Sequence, residues 1–292
     1  MSAAVVIGGA GIVGTWLREV LQHAGWSVVA VDTAGAELDA DARGSDPRLR
    51  RLVAEADLVA LALPEDVVLE VADSIEPLLR SDALLVSTAS VQSPLFDTAA
   101  GRRRRRRLVG CNPMFRPTLS TAGRRVLLVT TADADETAAL PLRDALQSSG
   151  ALVELLDPAD HDALMAVTQV LPHAALLAVA SVLASSSIDP ALVWRLAPPP
   201  ARTVLACAAR ILEANPHVYA DIQRADGAAE IRARLADGVL ALGTDTTGEL
   251  AERLTALRGS LSEIVAPAAA LAAELFEHDG PTAPASRAES DS

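Results

Sequence analysis

Near its start the chain passes from an apolar run, AAVVI, through GGAGIVG into an amphipathic stretch, GIVGTWLREVLQHAG. A strand, a glycine turn and a helix in that order allow few folds. Gly9, Gly11 and Gly14 form G-x-G-x-x-G across the turn. The first glycine permits the tight turn, the second lets the backbone approach a pyrophosphate, and the third lets helix and strand pack closely. The helix N-terminus then points its unpaired N–H groups at the phosphates. The pattern predicts a dinucleotide site built from Gly9, Ala10, Gly11, Ile12, Val13 and Gly14. Asp32 ends the next strand, WSVVAVD, eighteen residues past Gly14. A carboxylate there accepts bonds from a ribose hydroxyl and repels a 2′-phosphate, which favours NAD over NADP. Leu63 and Pro64, at the end of ADLVALALP, are expected to border the same cofactor.

The first half of the chain repeats this alternation. EDVVLEVADSIEPLL reads as a helix, and DALLVSTAS, RLVGCNPM, RVLLVTT and QSSGALVELLD read as strands. Short apolar strands alternating with helices imply a parallel sheet covered on both faces. From about Pro158 the strand signal stops and helical patterns follow to near Phe276. The expected architecture is α/β, with a Rossmann-type doubly wound sheet over residues 1–157 and an all-helical domain over 158–277. The tail, 278–292, is rich in Pro, Ala, Ser and acids and is expected to be disordered.

Composition narrows the chemistry. Half of the 292 residues are hydrophobic but only 2% are aromatic, so the core must come from Ala, Val and Leu. A net charge of −13 makes nucleic acid and anionic membranes poor partners. The run Arg102 to Arg107 reads as a solvated helix end or loop, with no aromatic residue for base stacking. No lysine is present, and all 25 basic residues are arginine, which excludes Schiff-base and lysine acid–base catalysis. Cys111 and Cys207 give neither a disulfide framework nor metal-ligand spacing. They read as small apolar side chains in a reducing cytoplasm. The first residues lack the basic start and longer apolar run of a signal peptide. No apolar run reads as a membrane span, and Ala174 to Leu183 reads as a buried helix.

Four blocks together resemble the prephenate dehydrogenase family. They are GGAGIVG; STASVQ, from Ser87 to Gln92; GCNPMFRP, similar to the family's G-x-H-P-M-F-G-P; and HDALMAVTQVLPH, followed by Arg202 and Arg210 eight apart and then NPHVYADI. The resemblance spans nearly all of residues 3–260. It implies an NAD-binding domain, a helical domain that also builds a homodimer, and a small-molecule substrate between them. It implies a stand-alone dehydrogenase that oxidises a cyclohexadienyl ring and releases the ring carboxylate as carbon dioxide. Arg210 matches the family arginine that grips a substrate carboxylate, a task suited to the planar guanidinium fork. Arg202 is a second candidate, and Met114 is expected against the substrate. Ser90 is placed near the nicotinamide or substrate ring; its alternative is to cap the following helix. His161, Met165, Gln169 and His173 are spaced by four and so share one helix face, with Pro172 loosening the helix locally. Gln169 and His173 fall on family motif positions. His161 is read equally as a site residue or a satisfied core histidine. Arg116 stands where the family has glycine, and either contacts a substrate carboxylate or points to solvent.

Asn112 is the decisive departure, because the resemblance implies a histidine there that draws off the ring hydroxyl proton as hydride leaves. Asparagine cannot act as a general base near neutral pH. Three readings follow: another group does the work, the protein is an inactive NAD-binding sensor, or the substrate needs no base. The third is chemically attractive, because an amine nitrogen has a more available lone pair than a hydroxyl oxygen. This favours 4-amino-4-deoxyprephenate, oxidised to 4-aminophenylpyruvate, over the prephenate or arogenate of tyrosine biosynthesis. Such relatives serve 4-aminophenylalanine formation in antibiotic biosynthesis.

Overall fold

The computed structural model describes residues 2–134 and 137–277, and the expected tail at 278–292 lies outside them. The described residues divide into two compact units, with the boundary between Thr168 and Gln169.

The first unit is built on an eight-stranded sheet ordered β3-β2-β1-β4-β5-β6-β7-β8. Its strands are β1 (Ala3–Ile7), β2 (Ser27–Asp32), β3 (Leu38–Asp39), β4 (Leu58–Leu61), β5 (Leu84–Ser87), β6 (Leu108–Pro113), β7 (Arg125–Val129) and β8 (Leu152–Leu156). Successive side chains alternate between faces. Val5, Ile7, Val59 and Leu61 therefore join one core layer, while Ala4, Val6, Leu58 and Ala60 join the other. Helices α1 (Ile12–His23), α2 (Pro47–Glu55), α3 (Glu65–Ile75), α4 (Ser93–Asp97), α5 (Ala99–Arg104), α6 (Leu140–Ser148) and α7 (Pro158–Met165) complete the unit. Trp16 and Leu17 of α1 and Leu142 of α6 cover one face; Leu49 of α2 and Val68 of α3 cover the other.

The predicted parallel sheet holds from β1 to β6. β7 corrects it by running antiparallel to β6, with Asn112 opposite Leu127. The connection from β6 to β7 contains no helix. A parallel return needs a crossover of a dozen or more residues, whereas an antiparallel one does not.

The arginine run is not wholly solvated. Arg104 is buried, and its guanidinium donates to Arg80 O at 2.6 Å and Leu79 O at 2.7 Å. It also pairs with Glu76 at 3.3 Å. These bonds tie α5 to the turn that ends α3 and satisfy carbonyls a helix terminus leaves open.

The second unit contains α8 (Leu171–Ala184), α9 (Pro190–Leu196), α10 (Pro199–Leu212), α11 (Pro216–Arg224), α12 (Ala228–Thr244), α13 (Thr247–Ser260) and α14 (Ser262–Glu277). Its buried hydrophobics among the described residues are few: Val170, Ala208, Ile211, Ile222 and Ala228. No side chain of α8 is buried in the single chain, which corrects the reading of Ala174 to Leu183 as a core helix. Val182, Leu196 and Leu240 are each about 70% exposed. The helix from Pro158 to Ala184 is 27 residues long and holds an 18-residue stretch of mean hydropathy 1.8, long and apolar enough to cross a membrane by length and composition only.

Candidate active site

The glycine turn sits at the carboxyl end of β1, where the strand order passes from β2 on one side to β4 on the other. In doubly wound sheets ligands bind in the crevice at such a reversal. The left-handed residue of the turn is Gly8, with φ of 80°; a Cβ there would lie 2.1 Å from Ala62 O. The tight-turn demand expected at Gly9 therefore falls on Gly8. Gly9 is glycine for a different reason, since a Cβ would meet that of Ala30 at 2.6 Å. Gly14 admits the close helix–strand approach as expected: its Cβ would stand 2.1 Å from Gly8 O. Gly11 is exposed, and among the described residues a Cβ would touch only Gly8 O, at 3.2 Å.

Gly11 is also the N-cap of α1, and it supplies no side-chain bond to the first turn. An uncapped helix start behind an open glycine fits a pyrophosphate. Ala10 and Ile12 are exposed, and Val13 is half-buried beside them. Asp32 accepts Ala10 N–H at 3.1 Å and Thr33 N–H at 2.8 Å, which anchors its carboxylate at the turn. Leu63 is half-buried and Pro64 exposed, directly beyond β4 on the far side of the reversal.

Asn112 lies near the carboxyl end of β6, on the same edge of the sheet, and is 5% exposed. Its Nδ2 stands 3.0 Å from His161 Nε2 and 3.3 Å from Met165 Sδ. His161 is fully buried, and its Nδ1 lies 2.8 Å from Asp162 Oδ1. Asp162 also accepts the backbone N–H groups of Gln92 and Ser93, each at 2.8 Å. Burial alone would raise the Asp162 carboxyl, but bonds from His161, Ser93 and Gln92 outweigh it and hold the group below the usual carboxylate range. Cys111, beside Asn112, is pushed up to about 12 by burial and offers no thiolate.

Two features of this cluster were not singled out in the sequence. The first is Asp162, whose carboxylate receives the N–H groups ahead of α4. Ser90 is half-buried just past β5 and does not cap α4; the N-cap residue Gln92 makes no side-chain cap bond either, and Asp162 takes that place. The second is Gln92, fully buried, whose Nε2 donates to Ala89 O at 2.6 Å and so closes the loop that carries Ser90. A Cβ at Gly110 would lie 2.6 Å from the Gln92 amide, which explains the glycine that opens GCNPMF. Met114 is half-buried and Arg116 exposed beyond the end of β6. Phe115 packs edge-to-face on Trp16, with ring centroids 5.9 Å apart.

A π-helical turn, Ala166–Val170, precedes α8 and spans the point in the chain where the first unit gives way to the second. Pro172 has no N–H to return to Thr168, and the wider turn absorbs that loss. The extra residue breaks the row of four-residue spacings, so one face does not run straight from His161 to His173. Gln169 is half-buried within this turn. His173 is half-buried, with its ring edge-to-face on Tyr219 at 5.0 Å. Burial, with the positive charge of Arg210 added, lowers the pKa of His173. Arg210 is exposed on α10, whereas Arg202 lays its guanidinium over Trp194 at 5.3 Å. His161 and Met165 thus gather around Asn112, and His173 and Arg210 gather in the second unit.

Comparison with known proteins agrees with this layout. The nucleotide-binding domain of prephenate dehydrogenase matches residues 25–154, and the dimerization domain of prephenate dehydrogenase matches residues 157–236. The chain is 36% identical over 288 residues to a 4-amino-4-deoxyprephenate dehydrogenase of Streptomyces pristinaespiralis, covering 93% of this chain and 95% of that one. A prephenate dehydrogenase from A. aeolicus, solved with hydroxyphenyl propionate and NAD+, shares the fold with a TM-score of 0.68 at 19% identity, covering 96% of this chain and 99% of that chain. Synechocystis arogenate dehydrogenase does so with a TM-score of 0.62 at 19% identity, covering 90% and 99%. With both domains matched in order and more than a third of its residues shared with a relative of nearly the same length, the chain belongs to the prephenate dehydrogenase family of oxidoreductases.

Proposed function

We propose that this protein is an NAD-dependent oxidative decarboxylase that converts 4-amino-4-deoxyprephenate to 4-aminophenylpyruvate. The observation that carries the reading is the carboxamide of Asn112, at a sheet edge shared with the dinucleotide turn, where a proton acceptor would otherwise stand. His161 does not replace the missing base, because it is fully buried and its Nε2 is turned to Asn112. The name and close similarity of the Streptomyces relative support the same substrate.

The chemistry balances without a base. A bound nicotinamide supplies the hydride acceptor. As hydride leaves the ring carbon bearing the amine, the nitrogen lone pair forms the C=N bond and the nitrogen becomes an iminium. The bond from the ring to its carboxylate then breaks, carbon dioxide departs, and that electron pair restores aromaticity and returns the nitrogen to a neutral arylamine. No proton needs to leave the nitrogen. The corresponding oxygen cation of a hydroxyl substrate is far less stable, and general-base help there is worth about 10²–10⁴ in rate. Asn112 Oδ1 accepts an N–H of the amine and holds the lone pair in line. Gly9, Ala10, Gly11, Ile12, Val13 and Gly14 cradle the pyrophosphate, Asp32 takes the adenosine ribose, and Leu63 and Pro64 border the dinucleotide. Ser90 and Met114 contact the ring. Arg210 grips a carboxylate with Gln169 and His173 beside it; Arg202 and Arg116 contribute further positive charge.

The working division is an NAD-binding domain at 1–157 and a helical substrate and dimerisation domain at 158–277, in a cytoplasmic homodimer. Covering the exposed Leu and Val side chains of the helical unit removes apolar surface from water, which favours association. The matched dimerization domain supports a second copy of the helical unit as the cover for these side chains. Sedimentation should find a dimer at micromolar concentration; a stable monomer there would count against it.

The substrate test is NAD reduction by purified enzyme with each acid. The kcat/KM for the amino acid substrate should exceed that for prephenate by about 100-fold. Equal rates, or a preference for prephenate, would overturn the reading.

A further inference from the structure

His161 and Asp162 take no part in the step above, yet their geometry constrains Asn112 closely. We propose that the Asp162–His161 pair is a positioning device that fixes which end of the Asn112 carboxamide faces the substrate. The inference rests on the reading of Asn112 as the substrate contact.

For a neutral imidazole the hydrogen-bond inventory leaves one arrangement. Asp162 meets the backbone N–H groups of Gln92 and Ser93, which can only donate. Its carboxylate is therefore an acceptor, and His161 Nδ1, 2.8 Å away, must carry the proton. A neutral imidazole has a single N–H, so Nε2 presents a lone pair. That lone pair faces the amide of Asn112 at 3.0 Å, and only the NH₂ group can meet it. The second amide hydrogen turns to Met165 Sδ at 3.3 Å, a thioether that also only accepts. Turned over, the amide would set its oxygen against two lone pairs. Among the described residues nothing donates to Asn112 Oδ1, so the carbonyl oxygen is the polar atom left for the substrate. The same network would place the proton of an imidazole at position 112 on its inward nitrogen and leave its outward nitrogen as a base. The pair thus keeps residue 112 an acceptor toward the substrate, and the residue type decides whether it accepts a hydrogen bond or a proton.

Two measurements test this. The ¹⁵N spectrum of the His161 ring in the intact protein should show a protonated Nδ1 and a bare Nε2 at neutral pH. A proton on Nε2 would overturn the inference, and this readout needs no substrate. In the second, His161→Leu is compared with His161→Gln, which offers a carbonyl oxygen near the Nε2 position. Both are assayed on whichever cyclohexadienyl acid the wild type oxidises, with melting temperatures recorded. His161→Leu should lose about tenfold or more in kcat/KM for the acid with the KM for NAD unchanged, and His161→Gln should recover most of it. Equal activities in the two variants would overturn the inference. Should the wild type oxidise only prephenate, the substrate reading falls while the tautomer result still judges the positioning pair.

Discussion

Replacing Asp162 by asparagine removes one carboxylate oxygen from a cluster in which both are occupied. The carboxylate accepts from Gln92 N, Ser93 N and His161 Nδ1, each at 2.8 Å. An asparagine offers one acceptor atom, and its NH₂ must face at least one of these donors. Losing a charge-assisted bond costs about 1.5–3 kcal/mol, and stranding a buried N–H adds about 1–3. The Asp162 side chain is 18% exposed, so water relieves part of this and the lower end, about 3 kcal/mol, is expected. For a unit of this size that corresponds to a fall in Tm of roughly 6–12 °C. Calorimetry on Asp162→Asn at pH 7, with the exposed Asp160→Asn as control, measures it; a shift under about 2 °C would refute the network. The pH dependence supplies a sign. The folded carboxyl is held below its ordinary value, so its contribution is complete above the unfolded pKa and is lost as pH falls through the folded one. The gap between wild type and variant should stay constant from about pH 7 to 5 and close below about pH 4. A gap that closed on raising the pH would contradict the assignment.

Other predictions concern the cofactor turn. Gly14→Ala places a Cβ 2.1 Å from Gly8 O, a backbone atom that cannot yield without moving β1 or α1. Calorimetric titration should show NAD affinity reduced by 100-fold or more, on the order of 3 kcal/mol; unchanged affinity would remove the turn from the cofactor site. Asp32→Ala takes away the carboxylate that repels a 2′-phosphate, so the NADP to NAD ratio of kcat/KM should rise by about tenfold. No change in that ratio would mean Asp32 serves only to anchor Ala10.

Much of the sheet was legible because each strand is an apolar run bounded by turn residues and each helix carries its own period. The direction of β7 was not. RVLLVTT has the same pattern whether it runs parallel or antiparallel, and only the helix-free connection at residues 114–124 distinguishes them. β3 is two residues long and carries no period. The glycine pattern located the turn but gave Gly9 the tight-turn role that Gly8 holds, since the two are adjacent and only Ala62 and Ala30 tell their roles apart. Asn112 stood out as a departure from a motif. Its contact with His161, 49 residues later, is a matter of tertiary packing and left a trace only in the adjacent His-Asp pair. α8 misled because a run of Ala, Leu and Val reads alike whether its cover comes from the same chain or another.

The residue at position 112 can be tested by competition. Wild type and Asn112→His are each given 4-amino-4-deoxyprephenate and prephenate together with NAD, and the two arylpyruvates are separated and quantified. Wild type should yield 4-aminophenylpyruvate in large excess, and Asn112→His should move the product ratio toward 4-hydroxyphenylpyruvate by about 100-fold, the worth of a general base. An unchanged ratio in the variant, or an excess of the hydroxyl product from the wild type, would contradict the role given to this carboxamide.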